Sequence, residues 1–355
     1  MTLSNRSFGI ELEVMLPRGL SRGEMARRIT AAGVECREEG YNHVARSHWK
    51  IVTDASLEGG NGAEIVSPKL SGEEGLRQAR IVAGLLQDAR AKVNKSCGFH
   101  VHVDASDVTP AQMRLVALNY VWFESFFDHI MPSSRRASNN DYINSNRARF
   151  GSYGTEGVNA AFTRIPANPA DHLAVITAVC GASDEARYHK LNLTAFARHR
   201  TIEFRQHSGT VEADKIEHWV RLLVAFVEKS MVSKPRPRTV TRDLTAAEEM
   251  NGFFKMFPVP RETVLYYRAR RIQIAEQDRA ANRPTSEDEA RAMIEALNAR
   301  RERVMNYARP QRIVGYRLRA TAESLRRALE SNDTARVRML MQNGARLIPS
   351  RAAAE

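Results

Sequence analysis

Cysteine is scarce in this 355-residue chain. Cys36, Cys97 and Cys180 are few, far apart and odd in number, which argues against a disulfide framework or a zinc ribbon and favours a reducing compartment, the cytoplasm. Long apolar runs are lacking as well. The opening MTLSNRSFGIELEV has no stretch of signal-peptide length, and the most apolar helical segment, HWVRLLVAFVEKSMV at 218–232, is broken by Arg221 and Glu228. No membrane segment is expected. A Walker loop G-x-x-x-x-G-K-[ST] is missing, so phosphates would have to be held by something other than that Gly-rich cradle. Clear aromatic stacking motifs and a helix-turn-helix signature are missing too. The net charge of +12 suits polyanions, and an arginine-preferring composition explains it equally well. A nucleic-acid partner is therefore left open without being favoured.

What is present is an ordinary globular composition, 43% hydrophobic and 26% charged, long enough for one large domain or two smaller ones. Four strand-like segments stand out: FGIELEV at 8–14, GAEIVSPKL at 62–70, CGFHVHVD at 97–104 and TIEFRQHSGT at 201–210. In a strand, residues two apart share a face. Glu11 with Glu13, His100 with His102 and Asp104, and Glu203 with Arg205 and His207 then form polar rows, opposite a packed face of Ile10, Leu12, Val101, Val103, Ile202 and Phe204. Glu64 adds a carboxylate after a Gly-rich turn, and Asp54 lies on the preceding strand of a hairpin over 49–70. Each row alone fits a solvated face or an ion pair. Together they predict a concave sheet whose inner face holds divalent cations, because buried carboxylates need counter-charge and oxygen ligands suit Mg²⁺ or Mn²⁺ better than Zn²⁺.

Helical spacing predicts amphipathic helices over about 21–32, 72–93, 109–130 and 214–229, and a strand pair over 189–196 and 200–209. Residues 133–168, rich in Ser, Asn, Arg and Gly, read as a long loop over the sheet and a candidate lid. After KPRPR at 234–238 the chain becomes helical and basic, which places a boundary near 233–240. The expected organisation is a catalytic domain over 1–233 and an α-helical basic region over 240–355, a candidate docking module for a protein partner.

In order and spacing, FGIELEV, the W…D.S…G.E.VSP.L hairpin, CGFHVHVD and LNL…TIEFR resemble the amidoligase family of the glutamine synthetase and glutamate-cysteine ligase superfamily, the carboxylate-amine ligases. The resemblance covers about 6–230. It implies an α+β fold with a curved, mostly antiparallel sheet of the glutamine synthetase-like type and helices outside, which binds ATP and Mg²⁺. Carried over by position, Glu11, Glu13, Glu64 and Glu203 match metal carboxylates, and His100 or His102 a histidine beside metal and nucleotide phosphates. Arg205 matches a phosphate-steadying arginine, and Asn192 a nucleotide or substrate contact. Arg135, Arg136 and Tyr142 fall where substrate-binding residues are expected, and Asp54 or His207 is the candidate base. The implied reaction is ATP-dependent amide or peptide bond formation between a small-molecule or peptide carboxylate and an amine. Two competing readings are a metal-dependent hydrolase using His-x-His-x-Asp and a nucleic-acid binder on an inactive ligase scaffold. Residues 324–347 resemble part of one ankyrin repeat, read as coincidence because a single repeat cannot bury its own faces.

Overall fold

The computed structural model describes residues 2–54, 56–239, 244–281, 286–305, 321–330, 337 and 340–341. The elements run β1 (Phe8–Met15), α1 (Arg22–Ala31), β2 (Cys36–Glu38), β3 (Trp49–Val52), β4 (Gly62–Val66), α2 (Gly72–Asp88), β5 (Gly98–Asp104), α3 (Pro110–His129), α4 (Thr155–Arg164), α5 (His172–Cys180), β6 (Leu191–Asn192), α6 (Ala195–His199), β7 (Thr201–Ser208), α7 (Ala213–Ser230), α8 (Ala246–Met256), α9 (Arg261–Ala281) and α10 (Ser286–Met305). The fold is α+β. Its seven-stranded sheet is open, in the order β2-β3-β4-β1-β5-β7-β6, and is antiparallel throughout except for the parallel β2–β3 pair.

Local chemistry starts the helices. Ser21 and Asp171 accept backbone N–H groups at the starts of α1 and α5, and Thr109 with Gln112 forms a capping box ahead of Pro110 in α3. Alternation orients the sheet: Phe8, Ile10, Leu12 and Val14 of β1 are buried in the core with Phe99, Val101, Val103, Ile202 and Phe204. The side chains of α2, α3 and α7 belong to the same core, where Tyr120 stacks on Phe127 and both Tyr120 and Phe226 pack against Phe204.

The first compact unit runs to Glu276, past the 233–240 break expected from composition. The reason is α8, whose Phe253 stacks on Phe126 at 3.8 Å and joins the aromatic core with Phe257. The second unit, Gln277–Glu355, has a small core of its own in which Ala290, Ile294 and Leu297 meet Ala322, Leu325 and Ala328. The ankyrin-like stretch at 324–347 lies in large part outside the described residues. All three cysteines are buried and free. Among the described residues, no helix is long and apolar enough to cross a membrane.

Two local expectations change. Of residues 189–196 only Leu191–Asn192 form the strand β6, and Ala195 and Phe196 already begin α6. The 133–168 segment holds two 3₁₀ turns and α4. Much of it is tied to α3: the Arg147 guanidinium donates to Val121 O, Trp122 O and Ser125 Oγ, while Glu124 accepts from Arg147 N and from the buried Lys190. Such a network satisfies a buried charge from every side and fixes the chain that makes it.

Candidate functional site

The face of the sheet turned away from the apolar core carries the polar rows. Register brings them side by side: Glu64 of β4 stands opposite Glu13 of β1, Glu11 opposite His100 of β5, His102 opposite Glu203 of β7, and Glu203 opposite Asn192 of β6. Two groups result. Glu11, His102 and Glu203 form one, and Glu13, Asp54 and Glu64 the other; within each, one ligand atom per residue lies within 4.8 Å of the others. His100 lies between them, with Nδ1 3.3 Å from Glu11 Oε2 and Nε2 3.8 Å from Glu13 Oε1.

Support comes from the backbone and neighbouring side chains. Gly98 N donates to Glu13 Oε2 at 2.5 Å, and a Cβ at Gly98 would meet His100 Nε2 at 2.7 Å, so this glycine lets the strand approach both ligands. His102 Nδ1 is 3.0 Å from Thr201 Oγ1, which turns Nε2 toward Glu11 and Glu203 at 3.4 and 3.9 Å. That Nε2 is buried without a well-formed hydrogen bond. A buried imidazole nitrogen aimed at two carboxylates, with its other nitrogen fixed by a hydroxyl, is how metal-ligating histidines are held.

The two groups differ in charge balance. Burial pushes the Glu11 carboxyl up, but His102 and His100 together outweigh it and hold it well below the ordinary range. Glu203 is likewise lowered, burial being overcome by Arg205, His102 and His100. Glu64 goes the other way: burial, then Glu11, Glu13 and Asp54, push its carboxyl well above the usual range. A divalent cation would relieve that repulsion. The oxygen-rich donor set with one or two imidazoles fits Mg²⁺ or Mn²⁺.

The remaining expected residues are placed as follows. Arg205 donates to Glu203 Oε1 at 2.6 Å and lines the cleft. Asn192 donates to Glu203 Oε2 at 2.6 Å and accepts from Thr194, so its amide is committed to orienting Glu203. Arg135 is buried beside the cleft and donates to the Lys95 and Cys97 carbonyls, while Tyr142 stands exposed at the rim against Tyr188. Arg136 is turned away onto Met131 O. His207 corrects the expected third member of the β7 row. A bulge opposite Phe99–Val101 inserts an extra residue in β7, and the register beyond it flips. His207 therefore packs against Phe99 and Trp219 in the core, where burial pushes its imidazole down to about 3, and it is no candidate base. Asp104 is held by Lys69 at 2.7 Å and lies outside both ligand groups.

The groups floor a central cavity of about 450 Å³, which adjoins one of about 310 Å³ over Gly9, Ser67 and Lys69 and one of about 330 Å³ beside Lys95, Arg135 and Tyr142. Sequence reading missed Lys50, Lys69, Lys95, Arg198 and His199 on its walls. The one available signal was Lys50 as the single charge inside the apolar strand Trp49–Val52.

Fold and site together define an α+β protein with a carboxylate- and imidazole-lined cleft on one face of an open sheet. A family model described as "Putative amidoligase enzyme" matches residues 4–227, and the chain belongs to this amidoligase family, a ligase type of enzyme by its name. No curated protein matches the chain.

Proposed function

We propose that the protein is an ATP-dependent carboxylate-amine ligase that forms an amide or peptide bond through an acyl phosphate. The observation that carries this reading is the pair of ligand groups bridged by His100 on one sheet face. Their convergence from β1, β4, β5 and β7 also supports assigning the sheet to the glutamine synthetase-like type. Glu11, His102 and Glu203 would hold one Mg²⁺ and Glu13, Asp54 and Glu64 a second. Bound there, the ions supply neutralisation of the phosphoryl group transferred from ATP.

The chain's own residues do the rest. Arg205 sets a guanidinium beside Glu203, where negative charge grows as the substrate carboxylate attacks the γ-phosphate. Arg135 and Lys95 make the far end of the cleft attractive to that carboxylate. Asp54, expected as a base, stands in the group that would hold the second ion, which makes it a ligand there rather than a free base. We place the reaction in the cytoplasm, where ATP is available and three buried thiols stay reduced. The hydrolase reading loses its third ligand, because Asp104 is committed to Lys69.

The test is a screen of carboxylate and amine pairs with ATP and Mg²⁺, reading ADP release, with Glu11→Gln as the blank. Release that requires both partners is expected. Amide cleavage without nucleotide, or ATP turnover indifferent to both partners, would sink the proposal.

A further inference from the structure

The two ends of the cleft are chemically unlike. At one end the floor beyond the first ligand group is Gly9, which follows the Glu11 and Glu13 alternation onto the cleft face and presents no side chain. Val66 continues this floor, Val44 and Pro68 supply apolar wall, and Lys69 and Arg198 supply positive charge. The other end, beside Lys95, Arg135, Arg205, Ser56, Asp141 and Tyr142, is richer in charged and polar groups, with Ile143 its main aliphatic side chain. A nucleotide whose phosphates reach the ligand groups needs a flat, largely apolar slot for its base, and only the Gly9 end offers one.

The wall at that end is held by a residue with no chemical role of its own. Lys50 lies opposite Val66 in register, in the row that continues to Glu11, and is buried. Its ammonium donates to Asn42 O at 2.9 Å, Asn42 Oδ1 at 2.8 Å and Val44 O at 3.0 Å, which uses all three of its hydrogens. Glu39 closes the base of the same loop, accepting from Arg46 and Asn42 and meeting His48 Nε2 at 3.0 Å. With every donor committed to the loop, Lys50 has none left for a phosphate. It fixes the backbone that carries His43 and Val44 against the slot.

We infer that the slot over Gly9 takes the nucleobase of the nucleoside triphosphate, that Gly9 determines its depth, and that Lys50 is the positioning residue that holds its wall. The inference rests on the proposed nucleotide-dependent reaction and assigns it residues. A side chain at Gly9 is tolerable to the fold: a Cβ there meets only Ser67 Oγ at 3.8 Å and His102 Cβ at 3.9 Å, ordinary contacts. Larger side chains at that position would project into the slot rather than into the core.

The experiment is calorimetric titration of the full chain with two probes, MgADP and Mg-tripolyphosphate, on wild type, Gly9→Val and Lys50→Met. Tripolyphosphate presents phosphate to the ligand groups without a base. Gly9→Val is expected to weaken MgADP at least tenfold and tripolyphosphate less than twofold; Lys50→Met should show the same split at about fivefold, with faster hydrogen exchange over residues 41–45. Gly9→Ala, with a smaller shift of about threefold, serves if valine lowers the melting temperature. Wild type that binds neither probe overturns the nucleotide reading and this one with it. Wild type that binds both, while the variants weaken both equally or neither, overturns this assignment alone.

Discussion

The two ligand groups share one sheet face and opposite electrostatics. Around Glu11 and Glu203, His100, His102 and Arg205 supply positive charge, so the carboxylates are ionised within a balanced cluster. Around Glu64 the charges that act most strongly are Glu11, Glu13 and Asp54, which together outweigh Lys50, so the local balance is negative. The first group is thus balanced by the protein's own charges, whereas the second carries a repulsion that a proton or, on the proposed function, a cation would relieve. A buried ion cluster strengthens a fold when it is closed and weakens it when one partner is absent.

The largest effect should come from breaking the closed group. Glu203→Gln leaves Arg205 buried without its carboxylate and His102 with Glu11 alone, and is expected to cost about 3 kcal/mol, a drop of roughly 6–12 °C in melting temperature, with ADP release falling at least a hundredfold. Thermal melts and the ligation screen read both. The open group should respond with the opposite sign: Glu64→Gln removes one repelling charge and is expected to stabilise the metal-free protein by about 1 kcal/mol while abolishing most of the stabilisation by Mg²⁺. Melts in chelator and in Mg²⁺ separate the two terms, and a fall in chelator would refute the contrast.

The same contrast has a pH signature. Glu11 and Glu203 are depressed, so their contribution is present above the unfolded carboxylate range of about 4.3 and is lost as pH falls below it. Glu64 is raised, so its cost is absent at low pH and grows as pH climbs through that range. In metal-free protein the advantage of Glu64→Gln over wild type should therefore be larger at pH 8 than at pH 4. The smallest effect belongs to a control away from the cleft. Glu73 is held down to about 2, first by its hydrogen bond from Arg221, yet its side chain is 48% exposed. Glu73→Gln should cost below about 1 kcal/mol, equally in chelator and in Mg²⁺, with the loss confined to pH values above its depressed pKa.

The ligand groups were legible because a strand's two-residue period is a local rule: Glu11, Glu13, His100 and His102 could be placed on one face from spacing alone. Glu64 and Glu203 joined them through their own strands and register, whereas Asp54, expected on a strand, lies just past the end of β3 and reaches its group from a loop. His207 was misplaced because a bulge is settled by what the partner strand and α7 pack against, which spacing does not encode. Lys50 was illegible because its role lies in contacts with a loop several residues upstream. The boundary at 233–240 marked a real change of composition, but Phe253 and Phe257 return the chain to the first core, so truncation at 240 would strip aromatic packing from it. The net charge of +12 is unevenly distributed along the chain. Residues 234–355 hold 25 Lys and Arg against 15 Asp and Glu, whereas 1–233 hold 28 against 26. Most of the basic excess thus lies outside the strands that build the cleft.

Both margins of the sheet are short. β2 offers three residues and β6 two, against eight in β1 and β7 inside. A second copy that met either margin would find too few free N–H and C=O groups to extend the ladder from molecule to molecule. The long, hydrogen-bond-rich strands that carry the acids are thereby kept from templating aggregation, and the cleft face can stay open to solutes without the sheet becoming adhesive along its sides.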